Sequence, residues 1–406
     1  MTKTAHKQPA VCREGTRGKR YRLSLAAGMM ALVLTAPALA GDREKAKRMH
    51  DRLTGVQPTA AVLDAMEAAM GDPKTAALMA IDPADNPQNA KYFYNVTLKN
   101  FATPWTNEAQ DVFAPLNDYT ALVIGMVRDE VPFNRLFSVP FTYAGAGSLG
   151  LSPVSPTNNN HYEELEASGV DLGDSSKFVQ VPQAIAAPAG AFTTRAAARA
   201  FFIDGTNRAM FRFAMLNHLC KDMEEVEDPT RTADRVRQDV SRSPGGDSRI
   251  FMNSCIGCHS GMDPMVQAFA YYDYVYPDGN EDAGQLVYTP NAVQPKYLIN
   301  SDNFKPGYVT PNDNWDNYWR SGPNSNLGWA SGGPGGSGSG SGAASMGDEL
   351  ANSVAFERCQ VTKVYRTVCL GDPDQGQVDT MLVDYNGNNK SLKQVFARAA
   401  TLCMGN

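Results

Sequence analysis

Past its first forty residues the sequence has no apolar run long enough to cross a membrane, which takes about 20 residues, and no internal repeat. A membrane-spanning protein and a repeat array are therefore set aside. Positive charge is also short: the chain has 37 Lys and Arg against 43 Asp and Glu, a net charge of -6. The first forty positions hold seven of those basic residues and one acidic residue, so the remainder carries 30 against 42, a net of -12. Such a surface argues against nucleic acid or anionic lipid as a partner. Histidine and cysteine are few, five and seven, so any patterned cluster of the two stands out against chance.

The first forty residues read as an export signal. Lys3, Lys7, Arg13, Arg17, Lys19, Arg20 and Arg22 precede an apolar stretch over 23–34, and Ala38-Leu39-Ala40 is the small-x-small pattern of a signal-peptidase site. The apolar stretch is too short for a retained anchor. No twin arginine opens it and no cysteine follows Ala40, which favours general secretion over folded-protein export or a lipid anchor. The protein is expected in the periplasm or outside the cell. Cys12 leaves with the signal, and Cys220, Cys255, Cys258, Cys359, Cys369 and Cys403 remain. In an oxidising compartment an even set is expected to be bridged or ligated.

Helical patterns dominate the rest. Val62, Leu63, Met66 and Met70 mark a helix over 59–70, and Asn117 is placed to cap one ending near Glu130, ahead of Val131-Pro132. Thr206 or Asn207 caps a helix reaching Cys220 that is apolar nearly all round and so expected to be buried. Residues 279–326 show no sustained period and read as a long ordered loop with a short hairpin near Leu286-Val287-Tyr288. The glycine run 332–342 reads as flexible. One helix is expected over 348–369 and a last one from Ser391, with Leu392, Val395, Phe396, Ala399, Leu402 and Cys403 on one face. The class is mainly α.

The chemistry concentrates in Cys255-Ile-Gly-Cys258-His259. A redox dithiol would sit at a strand-to-helix turn in a βαβ setting, which is missing, and would leave the histidine unexplained. Structural zinc needs a second close Cys/His pair, whereas Cys359 and Cys369 lie ten apart near the ends of one helix. Covalent haem accounts for every position. Two thiols three residues apart reach the two vinyl groups of one porphyrin edge, and the adjacent imidazole sits beneath the iron. Attachment follows export, in agreement with the leader. One haem c is therefore expected, bound through Cys255 and Cys258 with His259 on the iron.

Met262 and Met265 follow His259 by one and two helical turns and stay on its side of the porphyrin. A distal ligand must come from elsewhere. Met346, just past the glycine run and ahead of the 348–369 helix, is the leading candidate; His218, His50, His161 and Met381 are weaker, and an open sixth position is the alternative. His218 reads first as a core histidine. Arg242 and Arg249, just upstream, are candidate partners of the haem propionates, since a guanidinium fork matches a carboxylate; an ordinary solvated loop explains them equally well. The other four cysteines allow three pairings. Cys220–Cys359 with Cys369–Cys403 is one of them, and buried free thiols are the alternative.

Several segments, in order, resemble the planctomycete-type cytochrome c family, multi-module c-type haem proteins largely of unknown function. These are Arg52-Leu-Thr-Gly-Val-Gln-Pro-Thr59, Leu116-Asn-Asp-Tyr119 through Asp129-Glu-Val-Pro-Phe-Asn-Arg135, and Thr194-Arg195 with Asn207-Arg208 and Leu219-Cys220. Cys255-Ile-Gly-Cys-His-Ser-Gly-Met-Asp-Pro264 with Phe269-Ala-Tyr-Tyr-Asp273 follows, then Phe356-Glu-Arg-Cys359 through Val364-Tyr-Arg366. The resemblance implies haem at Cys255, Cys258 and His259, and it favours a Cys220–Cys359 bridge. The glycine run and the aromatic Asn/Asp loop have no counterpart in that family.

The expected organisation is a signal peptide (1–40), an N-terminal helical module (41–190) and a cytochrome c-like haem module (191–406) with a long irregular Gly/Asn/aromatic insert (279–347). The haem module is expected to be formed by the Cys255 helix and the two C-terminal helices. The expected function is electron transfer to or from a redox protein of complementary surface. Two alternatives stand beside it: a haem oxidoreductase with an open iron position, and a module binding surface polymer or protein through Asn314-Trp-Asp-Asn-Tyr-Trp319.

Overall fold

The structure, a computed structural model, describes residues 40–103, 115–298 and 307–405. The export signal lies outside the described residues, Ala40 excepted. Helix outweighs strand, 53% to 7%, so the protein is mainly α as its periodicity indicates.

Three helices open the described chain: α1 (Asp42–Thr54), α2 (Ala60–Ala68) and α3 (Pro73–Ile81). The second and third starts have a local cause. Thr59 accepts from the backbone N–H of Val62, and Asp72 accepts from Lys74 ahead of Pro73 at the first helical position. Helix α4 (Asp118–Arg128) begins with the expected Asn117 cap, which takes the N–H groups of Tyr119 and Thr120 while the Thr120 hydroxyl accepts from Asn117 N. It stops before Glu130, whose φ of 51° leaves the helical region. Strands β1 (Phe141–Gly145) and β2 (Phe178–Pro182) form an antiparallel pair beside α4.

Helix α5 (Arg208–Ala214) runs into a widened π turn, Met215–Leu219, and Cys220 in left-handed backbone ends it. Asn207 does not cap it with its side chain. Its amide instead donates to the carbonyls of Phe269 and Tyr272, at 3.1 and 3.0 Å. Helix α6 (Ile256–Val266) carries most of the cysteine motif. The expected hairpin near Leu286 is real: β3 (Tyr272–Val275) pairs with β4 (Gln285–Tyr288).

The glycine run, expected to be flexible, takes a defined path: its end forms β6 (Ser339–Ser341), paired with β5 (Asn314–Asp316), and Arg320 holds it at Gly335. The Arg320 guanidinium donates to the carbonyls of Ala330 and Gly335 and closes on the buried Glu349 carboxylate at 2.8 and 2.7 Å. Gly335 is required there: its φ is +73°, and a Cβ would stand 2.2 Å from the Asp348 carbonyl oxygen. The single helix expected over 348–369 is two, α7 (Gly342–Ala351) and α8 (Val354–Cys369). The break comes at Ser353, whose hydroxyl caps α8 by accepting from Phe356 N at 3.2 Å.

Two more helices close the chain, α9 (Gln375–Gly387), which has no strong apolar stripe, and α10 (Leu392–Leu402). Helix α10 packs on α3 and α8, and α1 packs on α3 and α10, so the two ends of the described chain share one layer. Phe396 meets Phe93 and Phe101 edge-on, with centroids 5.1 and 5.4 Å apart. Full burial of a side chain of this size contributes about 1.5–3 kcal/mol. Helix α10 therefore lies against the N-terminal α1 and α3, while α8 also packs on the Met215–Leu219 turn. Helix α6 is walled instead by α5, β5 and the turn Tyr318–Arg320.

Disulfides join Cys220 to Cys359 and Cys369 to Cys403, with Cα atoms 5.4 and 5.7 Å apart. The first ties the end of the α5 π turn to α8. Among the described residues no helix is long and apolar enough to cross a membrane.

Candidate haem site

Asp247 starts the approach to the motif by accepting from Arg249 N at 2.9 Å. A short helical turn, Ser248–Ile250, then widens into a π turn, Phe251–Cys255, before α6 takes over. Phe251 anchors it from beneath, buried with Val236 and Ile256 in a small cluster of their own, and Cys255 packs at its edge. A π turn inside a helix is a costly distortion that recurs at functional sites. Ile250 and Met252 stay 46% and 54% exposed and give the N-terminal side of the motif an apolar flank.

Cys255 and Cys258 are both half-buried and unbridged, while the other four described cysteines are consumed in disulfides. The Cys258 sulfur lies 3.6 Å from the Met223 carbonyl oxygen. Burial pushes the Cys258 thiol up, and the nearby Glu227, Glu224 and Asp222 push it further. A redox-active dithiol needs the opposite, a thiol held down by positive charge or a helix N-terminus.

His259 stands one position on, its side chain 22% exposed. Its Nδ1 lies 3.1 Å from Oδ1 of Asp263, one turn further along α6. A carboxylate only accepts, so Nδ1 carries a proton, and in the neutral ring Nε2 keeps its lone pair. Asp263 is fully buried and fully engaged. Arg208 grips it through Nε and Nη2 at 2.7 and 2.9 Å, and the backbone N–H of Arg237 donates to Oδ2 at 3.2 Å. Arg208 also clamps Asp239, at 2.6 and 3.0 Å. Burial alone would raise the Asp263 carboxyl, but Arg208 and His259 hold it well below its usual range.

Asp263 is not among the site residues expected from the sequence, and helix α6 continues past it through Pro264 to Val266. The legible signal was the spacing of His259 and Asp263, four apart and hence on one face.

The other expected residues are scattered. Arg249 is 83% exposed at its side chain and pairs with Asp247. Arg242 donates to the carbonyls of Val236, Arg237 and Val240 and lies 4.7 Å over the Phe251 ring, so it braces the loop beneath the motif. Met346 is fully buried inside α7 rather than on a loop ahead of a helix. Met381 is fully buried on α9. His50 and His161 are satisfied core histidines: Nδ1 of each meets a backbone carbonyl, Val56 at 3.0 Å and Ser152 at 2.6 Å, and each Nε2 has a second partner. His218 is buried among the rings of Phe137, Phe356 and Tyr119, beside the Gln360 amide.

The aromatic loop does not present its indoles to a polymer. Trp315 and Trp319 are 1% and 0% exposed. Trp315 Nε1 donates to the Ser345 hydroxyl at 2.8 Å, and Trp319 lies against Gly261 of α6. Both serve as the wall of the motif helix.

Cavities open elsewhere. One of 390 Å³ lies among Asn117, Asn160, Glu163, Arg195 and Arg199, and another of 390 Å³ covers the Cys220–Cys359 bridge beside Lys221, Arg358 and Arg366. Neither is lined by the motif. Among the described residues no group of three or more His, Cys, Asp or Glu is placed to hold a bare metal ion. The motif residues do suit haem. Two unbridged thiols and an imidazole fixed through Nδ1 share one helix, which is the donor set a covalently attached porphyrin requires.

Fold and site together define a mainly helical, disulfide-bonded protein with a single Cys-x-x-Cys-His helix. No protein family, curated protein or solved structure matches the chain.

Proposed function

We propose that the chain is an exported monohaem c-type cytochrome that transfers electrons, allied to the planctomycete-type family it resembles. The observation that carries this reading is the state of the cysteines. Four pair off, while Cys255 and Cys258 stay apart beside a histidine whose Nε2 is free of protein hydrogen bonds among the described residues. In this reading Cys255 and Cys258 hold the macrocycle by thioethers and His259 is the proximal ligand. Haem supplies a one-electron iron couple. The polypeptide fixes the imidazole through Asp263, braces the approach through Phe251 and Arg242, and walls α6 with Trp319. The two disulfides fit an oxidising compartment such as the periplasm. The acidic segment Asp222, Glu224, Glu225 and Glu227 beside Cys258 favours a basic redox partner.

A haem oxidoreductase is the second reading, and one observation favours it. Met346, the leading distal candidate, lies fully buried inside α7.

The test is haem staining of the denatured protein after co-expression with a haem-attachment system. Retained stain is expected in the wild type and is expected to be lost in the Cys255→Ala, Cys258→Ala double variant. An unstained wild type defeats the proposal. Carbon monoxide then separates the two readings: a ferrous spectrum that ignores it supports electron transfer, and one that shifts supports an open iron.

A further inference from the structure

We propose that Asp263 is the positioning residue of the site, a buried carboxylate that fixes the His259 ring through Nδ1 and enriches Nε2 for bonding to a metal cation. This inference rests on the haem reading and deepens it.

The chain supplies its own comparison. His50 and His161 are held at Nδ1 by neutral backbone carbonyls, Val56 and Ser152. Orientation alone therefore needs no charge in this protein. His259 receives a carboxylate instead, and an elaborate one. Asp263 is 0% exposed, gripped bidentately by Arg208 and held by Arg237 N, while Arg208 is itself anchored on Asp239. No oxygen of Asp263 is left to turn away, so the hydrogen bond to His259 has one geometry. Fixing a ligand histidine does not call for two buried carboxylates and an arginine clamp.

A carboxylate does something a carbonyl does not. When Nε2 gives electron density to a cation, positive charge develops over the ring, and a fixed negative charge at Nδ1 stabilises it. The ligand becomes more basic and the oxidised metal is favoured. Arg208 moderates the effect by sharing the carboxylate, so the assembly sets a potential as well as a direction. His259 is the most exposed member of this network, 22% at its side chain against 17% for Arg208, 6% for Asp239 and 0% for Asp263.

The experiment measures the reduction potential of the haem-loaded protein by spectral titration against mediators, with the ferrous iron–histidine stretch read by nuclear resonance vibrational spectroscopy on ⁵⁷Fe-labelled protein, which needs no added ligand. In Asp263→Asn the potential is expected to rise and the stretch to fall in frequency, with Asp263→Glu restoring part of both. Asp239→Asn removes a buried carboxylate that does not touch His259, and is expected to shift both readings less. Equal shifts in Asp263→Asn and Asp239→Asn, or none in either, would overturn the proposal. If Asp263→Asn does not fold, Arg208→Lys takes its place, since it keeps the charge and loosens the clamp. An unchanged stretch there would equally overturn it. A wild type without covalent haem ends the haem reading, and Asp263 is then judged by ¹⁵N NMR of the protein as purified. An Nδ1–H tautomer of His259 that is lost in Asp263→Asn supports the positioning role, and an Nε2–H tautomer in the wild type refutes it.

Discussion

The indole of Trp319 lies so close to Gly261 that a Cβ on that residue would stand 1.9 Å from Nε1. Only glycine lets α6 receive the ring, and the contact joins the long insert to the motif helix two residues beyond His259. Gly261→Ala is therefore expected to force the indole out and destabilise the fold by about 1–3 kcal/mol. Urea unfolding followed by tryptophan fluorescence reads both the midpoint and the displaced indole. A wild-type midpoint would show that the wall is not needed.

Arg320 and Glu349 close the glycine run onto α7. Glu349 is fully buried and also accepts from the Asn317 amide at 2.6 Å, so neither partner is dispensable alone. Arg320→Met is expected to cost about 3–5 kcal/mol, because it strands a buried carboxylate. The double variant Arg320→Met, Glu349→Leu is expected to recover much of that loss. A double-mutant cycle in denaturant measures the coupling.

The two disulfides close loops of different length, with separations of 139 and 34 residues. Removing the Cys220–Cys359 pair by serine substitution is expected to cost about 2–5 kcal/mol. Loop-closure entropy makes that roughly 1 kcal/mol more than removal of Cys369–Cys403. Equilibrium unfolding of the two double variants compares them directly. The reverse order would mean that local contacts, not chain entropy, dominate.

Acid is expected to destabilise the fold through His218 and His50. Burial lowers both imidazoles, with Lys363 adding to the effect on His218. A group depressed in the folded state takes up its proton on unfolding, so its contribution is complete above the ordinary imidazole value of about 6.5 and declines as pH falls below it. Denaturant midpoints measured from pH 7.5 down to 5 should fall. The fall should be shallower in His50→Asn, which keeps a donor towards Val56 O. A parallel slope would remove His50 from the account.

How much was legible depended on whether the cause was local. Asn117 could be recognised as a cap because a cap is made by residues three apart. The hairpin at β4 was legible for a similar reason, and α10 showed its apolar face. Helix α9 was missed because no strong apolar stripe marks it: Val383 points out at 74% exposure while Met381, two residues away, is fully buried. The glycine run read as flexible because glycine alone carries no ordering information. Its order comes from Arg320, Glu349 and Trp315, which lie outside it in sequence.

The sequence alone determined the mainly helical class and the motif that gathers two thiols and an imidazole on one turn, because three neighbouring residues fix that arrangement. It narrowed the cysteine pairing to three choices. The tertiary structure decided between them, buried Trp315 and Trp319 as wall rather than surface, and sealed Met346 in the core. It also set Asp263 against His259 with Arg208 behind it. The first of those contacts is four residues long and within reach of helical spacing. The clamp spans 55 residues, and only the packing of α5 on α6 brings its two sides together.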